Sequence, residues 1–409
     1  MTLIWRNRRM TTKMLSKEDL WCSVLGGSAL ATGGGGAGPT YEMFSRAVDP
    51  VFEAGLKPRL IDASDLPDNA AVFMPIGIGG GIPREDREKY GPPIRAGPYM
   101  EIAFKEMDRV FPLLKGAETP TGDLRAAAVK RLKEIKGEEK YSAYLAGELG
   151  PGVYRQALEG SREEIPLLDA DGTGARAVPE LSLIGFNVRN VASTPAVITT
   201  GWGDLLVYEK YLSWQRLEDI TRAIALVSGG SNSTLMSVKG KDIKESTVQG
   251  TISLAIKVGK AIQEAVKAGS IPVDKVIEAT KGYKIFEGEV VAYSSEGKWA
   301  FNWGSAWIKG TDDFDGRLFR FWFKNENQIS WLDGEPYVTC PDPFTVLDVK
   351  TGEGLSNFRA EAWTPGRRVA VVGVKAAAIW RTKRGLSIYN PRHFGFDIKY
   401  RPIEKIMEK

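Results

Sequence analysis

A change of periodicity near residue 281 constrains this chain more than any other feature. Before it, short apolar runs alternate with stretches whose apolar residues recur at helical spacing; after it, runs are short, aromatic or β-branched, and separated by turn chemistry. In the first part, Ser16 and Asp19 make a capping box ahead of Leu20, Trp21, Val24 and Leu25. Residues 59–61, 71–74, 141–146 and 165–168 read as buried strands, the second ending in a glycine-rich loop that starts at Pro75. Helical faces are formed by Ala103, Met107, Val110, Phe111 and Leu114, with Pro112 ending or bending that helix, by Leu124, Ala128, Leu132 and Ile135, and by residues 251–268. This alternation predicts a three-layer α/β domain with a mainly parallel sheet, whose ligand-binding loops lie at the carboxyl ends of its strands. The later runs at 285–293, 299–308, 318–324, 345–349 and 369–374 predict a compact β-barrel-like or β-sandwich module.

The expected organisation is therefore an α/β ligand-binding domain over 14–280, a β module over 281–386, and a segment, 387–409, packing back on either. A chain of 409 residues exceeds the size at which one hydrophobic core keeps growing. Its 55 basic and 51 acidic residues give a net charge of +4, too little for a nucleic-acid footprint. No apolar run approaches the ~18 residues of a membrane span, and the basic N-terminus lacks the apolar stretch of a secretion signal. Two distant cysteines argue against a disulfide framework. These features together predict a cytoplasmic protein.

Six segments carry candidate chemistry. Gly33, Gly34, Gly35 and Gly36, with the Thr32 hydroxyl, offer donors to an anion or oxyanion; the alternative is a glycine-rich turn that permits close packing. The run lacks the Lys-Ser/Thr ending of a P-loop and follows a helix, which departs from nucleotide-binding fingerprints. Asp169, Asp171, Arg176 and Glu180 crowd one loop after a strand. Its carboxylates suit a divalent metal such as Mg, Ca or Mn, or else Arg176 pairs with Asp169 or Asp171 to lock the loop. Glu148 stands at a strand end, where desolvation would raise its pKa enough for proton transfer. His393, the sole histidine, is a candidate proton carrier or a hydrogen-bonded structural residue. Cys340 is a candidate nucleophile with no neighbour in sequence to activate it. Asn325, Glu326 and Asn327, after an aromatic strand, offer amide and carboxylate groups to a polar ligand, or form a turn.

Taken in order, ATGGGG, GELGPG, LLDADGTGARAVPEL, FKNENQ, CPDPFTVLD, AAIWRT and NPRHFGFD resemble the signatures of the S-methyl thiohydantoin desulfurase family, formerly a domain-of-unknown-function family linked to hydantoinases. The resemblance runs from Leu15 to Pro402. Two departures stand out: Ala175 is an extra residue before Arg176, and Pro151, Gly152, Val153 and Tyr154 replace the usual stretch of the second loop.

The resemblance implies an α/β domain with a β module and a hydrolase acting on a five-membered cyclic amide of thiohydantoin or hydantoin type. In that reading Gly33 to Gly36 and Thr32 bind an anion or oxyanion, and Arg176 holds a substrate carboxylate. Asn325 and Asn327 contact substrate; Asp169, Asp171 and Glu180 bind metal or orient water; Glu148, Asp171 or His393 serves catalysis. The other reading is a non-catalytic partner of a hydantoinase-like complex that binds the same ligands. Either way the expected partners are a small-molecule substrate and a second subunit, of the same chain or of a hydantoinase-like protein, with no nucleic acid and no membrane.

Overall fold

The structure, a computed structural model, describes residues 12–79, 124–192, 194–200, 203–228 and 230–408. The helix expected around Ala103 to Leu114 lies outside them. Two sheets organise the described residues, and each answers to one of the two periodicities.

The first sheet runs β1(Thr12–Met14), β2(Arg59–Ile61), β5(Leu167–Asp171), β4(Ala143–Ala146), β3(Ala71–Gly79), β8(Ser231–Lys239), β6(Ala196–Thr200), β7(Leu205–Tyr208), with β9(Val248–Gln249) beside β5. Only the block β2, β5, β4, β3 is parallel; the flanking strands pair antiparallel, so the sheet is mixed rather than mainly parallel. Alternate residues enter opposite cores, as a two-faced sheet requires. Phe73, Tyr144 and Leu167 join one core; Val72, Leu145 and Leu168 join the other. Helices cover both faces, which gives the three-layer α/β arrangement.

On the first face the capping box holds as read: Asp19 N donates to Ser16 Oγ at 3.0 Å, and Ser16 N donates to Asp19 at 3.2 Å. The helix that it starts, Lys17–Leu30, packs against the helix Thr251–Lys267 at unusually close range. A Cβ on Gly26 would lie 1.8 Å from Ala255 O, and one on Gly259 2.0 Å from Cys22 O, so both crossing points require glycine.

β3 continues past Met74 to Gly79, where the sequence reading had a loop. Parallel pairing with β4 stops at Phe73, while antiparallel pairing with β8 runs the full length. Among the described residues the β4 side of β3 is therefore unpaired beyond Phe73, where the missing N–H of Pro75 breaks no ladder. That unpaired edge opens the cleft described below.

The second sheet is a seven-stranded antiparallel half-barrel in the order β14(Glu335–Thr339), β13(Glu326–Leu332), β12(Leu318–Lys324), β11(Phe301–Gly310), β10(Tyr283–Lys298), β16(Arg368–Gly373), β15(Phe344–Asp348). Its core is built on Phe286, Phe319, Phe321, Phe323 and Phe344. The C-terminal segment touches both parts: Tyr389 joins a cluster with Leu183 and Val188 of the first part and Cys340 and Trp380 of the second. Among the described residues no helix is long and apolar enough to cross a membrane.

Candidate functional site

Helix Lys17–Leu30 ends by turning left-handed at Thr32, with φ of +56°, and the glycines that follow continue with φ of +84° at Gly33, +64° at Gly35 and +82° at Gly36. Few side chains adopt such backbone, and β-branched Thr32 does so only because its surroundings hold it. Asn327 N donates to Thr32 O at 2.8 Å and Asn357 N to Gly33 O at 2.7 Å, so the half-barrel grips the glycine loop directly. The Thr32 hydroxyl turns to the carbonyl of Ala31 at 2.7 Å and is buried, away from any ligand.

The residue the loop receives is Glu326, the first of β13. Its Oε1 accepts from Gly35 N at 3.0 Å, whereas Oε2 is buried without a hydrogen-bond partner among the described residues. On the opposite wall, just beyond β4, Glu148 accepts from Val178 N at 2.9 Å. Both carboxyl groups line one cleft of about 860 Å³, bounded by Gly35, the free edge of β3, Thr173, Val178 to Leu181, Arg222 and Asn325. The cleft thus sits at the carboxyl ends of β3, β4 and β5, where α/β sheets collect ligands.

Electrostatics set this pair apart. Burial, with the nearby charge of Asp171, pushes the Glu148 carboxyl up to about 7 against the pull of Val178 N–H, Arg222 and Arg176. Burial and the charge of Glu148 push Glu326 well above the usual carboxylate range. Glu180, also lining the cleft, behaves oppositely. Burial works to raise it, but its hydrogen bond with His393 and the charge of Lys324 hold it at about 2. Lys324 Nζ stands 2.5 Å and His393 Nε2 2.9 Å from its two oxygens.

The other expected residues are placed as follows. Asn325 lines the cleft, yet its Oδ1 accepts from Asn302 N at 2.7 Å; Asn327 Oδ1 accepts from Asn357 Nδ2 at 2.9 Å. Both side-chain oxygens are thus committed to a buried asparagine network. Asp171 is fully buried, and its oxygens accept from Thr173 N at 2.6 Å, Gly174 N at 2.5 Å and Ala175 N at 2.8 Å, folding the loop around itself. Asp169 accepts from Ser253 N at 2.9 Å and Ser253 Oγ at 2.5 Å, capping the helix Thr251–Lys267 at its third residue. With these oxygens occupied, Asp169, Asp171 and Glu180 do not form a ligand set. Among the described residues no group of three or more His, Cys, Asp or Glu side chains is arranged to hold a metal ion.

Arg176 is 1% exposed and is not among the residues that line the cleft. His393 pairs with Glu180 rather than Glu148. Cys340 is fully buried, and burial pushes its thiol far above the range of a reactive thiolate.

The match to known families decides what the chain is. The S-Me-THD-like N-terminal domain matches residues 18–210, and the S-Me-THD-like C-terminal domain matches residues 212–403. The chain belongs to the S-Me-THD-like family. A crystal structure of a protein from Chromobacterium violaceum shares this fold at TM-score 0.68 and 20% identity, over 96% of this chain and 100% of that one. No curated protein matches the chain. In this S-Me-THD-like chain the boundary between the two family segments falls before β8 and β9, so the second segment supplies strands to the first sheet as well as the whole half-barrel.

Two features of the S-Me-THD-like cleft have little or no signal in the sequence. The triplet Asn325, Glu326 and Asn327 offers a carboxylate to a polar ligand, but nothing local marks Glu326 as facing Glu148 from another sheet. Arg222, four residues after Glu218 on the helix Trp214–Val227, gives a buried ion pair at 2.8 Å and lies 3.8 Å from the Phe301 ring centroid. The i,i+4 acid–base spacing was its only signal.

Proposed function

We propose that this protein is a hydrolase of small five-membered cyclic amides of thiohydantoin or hydantoin type, and that from an S-alkyl thiohydantoin it removes the sulfur substituent of the ring. The observation that carries the reading is the pair of carboxyl groups, Glu148 and Glu326, lining one cleft with proton affinities lifted by burial. Two acids so placed divide the labour of hydrolysis, one ionised as base and the other protonated as donor. Family membership supports the substrate class.

Glu148 is the base. As the oxygen of a water bonds to the ring carbon that bears sulfur, Glu148 takes one water proton and Glu326 gives its proton to the ring nitrogen. As the C–S bond breaks, Glu148 returns its proton to the departing sulfur and the new hydroxyl restores the proton of Glu326. The products are a ring carbonyl beside N–H, and a thiol. Ile76, Ile78, Leu181 and Ile184 give the cleft apolar walls for a flat ring, and its volume suits a small molecule. Arg155, exposed at the margin, takes the place assigned earlier to Arg176 as the cation for an acidic substituent.

The test is the purified protein with a panel of S-alkyl thiohydantoins, thiohydantoins and hydantoins, followed by thiol release and ring-product analysis. Thiol release, cut by about 100-fold or more in Glu148→Gln, supports the hydrolase. Saturable binding with no turnover by any substrate overturns it in favour of a ligand-binding partner subunit.

A further inference from the structure

Arg176 holds a position that the proposed chemistry leaves unused. Arg176 is 1% exposed, and among the described residues its guanidinium makes two hydrogen bonds, to the carbonyls of Ala177 at 3.2 Å and Pro341 at 2.8 Å, while Nη2 is buried without a partner. One ring, Tyr389, lies 4.9 Å from its centre. Among the described residues no carboxylate stands within ion-pairing distance of it. A buried cation with no counter-charge is among the costliest arrangements a fold can hold.

The other charges near the cleft are already matched. Arg222 has Glu218 at 2.8 Å, Lys324 has Glu180 at 2.5 Å and the buried Asp342, beside Pro341, has Arg381 at 2.6 Å, while the Asp171 carboxyl is turned into its own loop by three backbone N–H donors. Burial keeps Cys340 and Tyr389, the titratable groups packed nearest to Arg176, in their neutral forms. The remaining acids are the two of the cleft, and Arg176 connects to both through short chains of contacts. Leu149 N donates to Arg176 O at 3.1 Å and Val178 N to Glu148 at 2.9 Å, which lays the Arg176 strand of backbone beside Glu148. On the other side Tyr389, stacked under the guanidinium, donates to Gln328 Oε1 at 2.9 Å, and Gln328 Nε2 donates to Glu326 O at 3.1 Å.

We propose that Arg176 is a positioning residue: it is the counter-charge that keeps the Glu148–Glu326 pair sharing a single proton. With one negative charge the pair neutralises Arg176; with two it would place like charges together in a buried site, and with none it would leave the cation alone. Arg176 thereby sets the protonation state in which one acid is base and the other donor. The inference rests on the hydrolase reading for its consequence, but not for its test.

That test is carboxyl titration by NMR on protein carrying 13Cδ-glutamate, with signals assigned through Glu148→Gln and Glu326→Gln; it needs no turnover. In Arg176→Gln and Arg176→Met the pair takes up its second proton at a pH higher by about 1 to 3 units, while Arg176→Lys keeps the wild-type curve. Unchanged titration in the neutral variants overturns the proposal. Should those variants not fold, Glu148→Gln decides alone: with one acid left, Glu326 is ionised at neutral pH to balance Arg176, and a Glu326 that stays protonated there overturns the proposal equally. Loss of the hydrolase reading with these shifts intact would leave Arg176 as the counter-charge of a binding site.

Discussion

Oε1 of Glu326 lies 1.7 Å from the point that a Cβ on Gly34 would occupy, and its Cδ lies 2.2 Å away. The glycine run that dominates the N-terminal sequence is thus the bed of an acid from the other sheet. Gly34→Ala must push that carboxyl out of its seat. We expect it to lower thermal stability by about 1–3 kcal/mol, the usual range for overpacking, and to cut turnover by about 100-fold. A crystal structure of the variant with Glu326 unmoved would contradict this.

Glu148 links activity to pH and to stability in opposite directions. Its carboxyl titrates at about 7 in the folded chain against an ordinary 4.5, so the folded state binds the proton more tightly than the unfolded one. Its contribution is complete below about pH 4.5 and is lost as pH rises through about 7, a change of about 3 kcal/mol at most. Glu148→Gln removes that slope while keeping an acceptor for Val178 N–H. Melting temperatures from pH 4.5 to 8 are therefore expected to fall less steeply in the variant, which gains on wild type at pH 8 while losing turnover. As base, Glu148 also makes wild-type kcat/KM rise with pH to a plateau above about 7.

Glu180 runs the other way. Its carboxyl is held at about 2 by His393 and Lys324 despite its burial, so the stability it confers is present above about pH 4.5 and is lost as pH falls through about 2. His393→Gln weakens one of two partners. The expected result is a loss of about 1 kcal/mol at neutral pH, a steeper acid-unfolding curve, and turnover within several-fold of wild type. A loss of turnover comparable to that of Glu148→Gln would return His393 to the reaction itself.

Asp171 and Asp169 build the scaffold. Asp171→Asn turns an acceptor of three backbone N–H groups into a side chain that presents its own donors to them. A loss of about 2–3 kcal/mol is expected, with activity falling only as the folded fraction falls. Asp169→Asn, at the helix start, should cost about 1 kcal/mol. Denaturant midpoints measured beside active-site titration separate these losses from a catalytic one.

These expectations also mark where sequence reading ended. Local features were legible: the Ser16–Asp19 cap, the helix beginning at Thr251, the strand at Leu318–Lys324, and Glu148 as a desolvated acid at a strand end. Whatever depended on contacts between distant segments was not. Pro75 looked like a strand end because the free edge that tolerates it is created by where β4 stops. Asp171 and Arg176 looked like ligand-binding groups because a loop's own backbone donors and a buried aromatic ring leave no local trace in composition. Glu326 is legible only as one polar group of its triplet, because its partner Glu148 comes from the other sheet and the asparagine side-chain oxygens hold the turn that presents it.

Single turnover of an S-alkyl thiohydantoin in 18O-labelled water decides whether Glu148 and Glu326 together hydrolyse the ring carbon in this cleft. Wild type is expected to place one labelled oxygen in the ring carbonyl and release one equivalent of thiol, with neither formed on the same timescale by Glu148→Gln or Glu326→Gln although both still bind the ring. Labelled product formed by both variants at the wild-type rate would overturn the assignment of the pair.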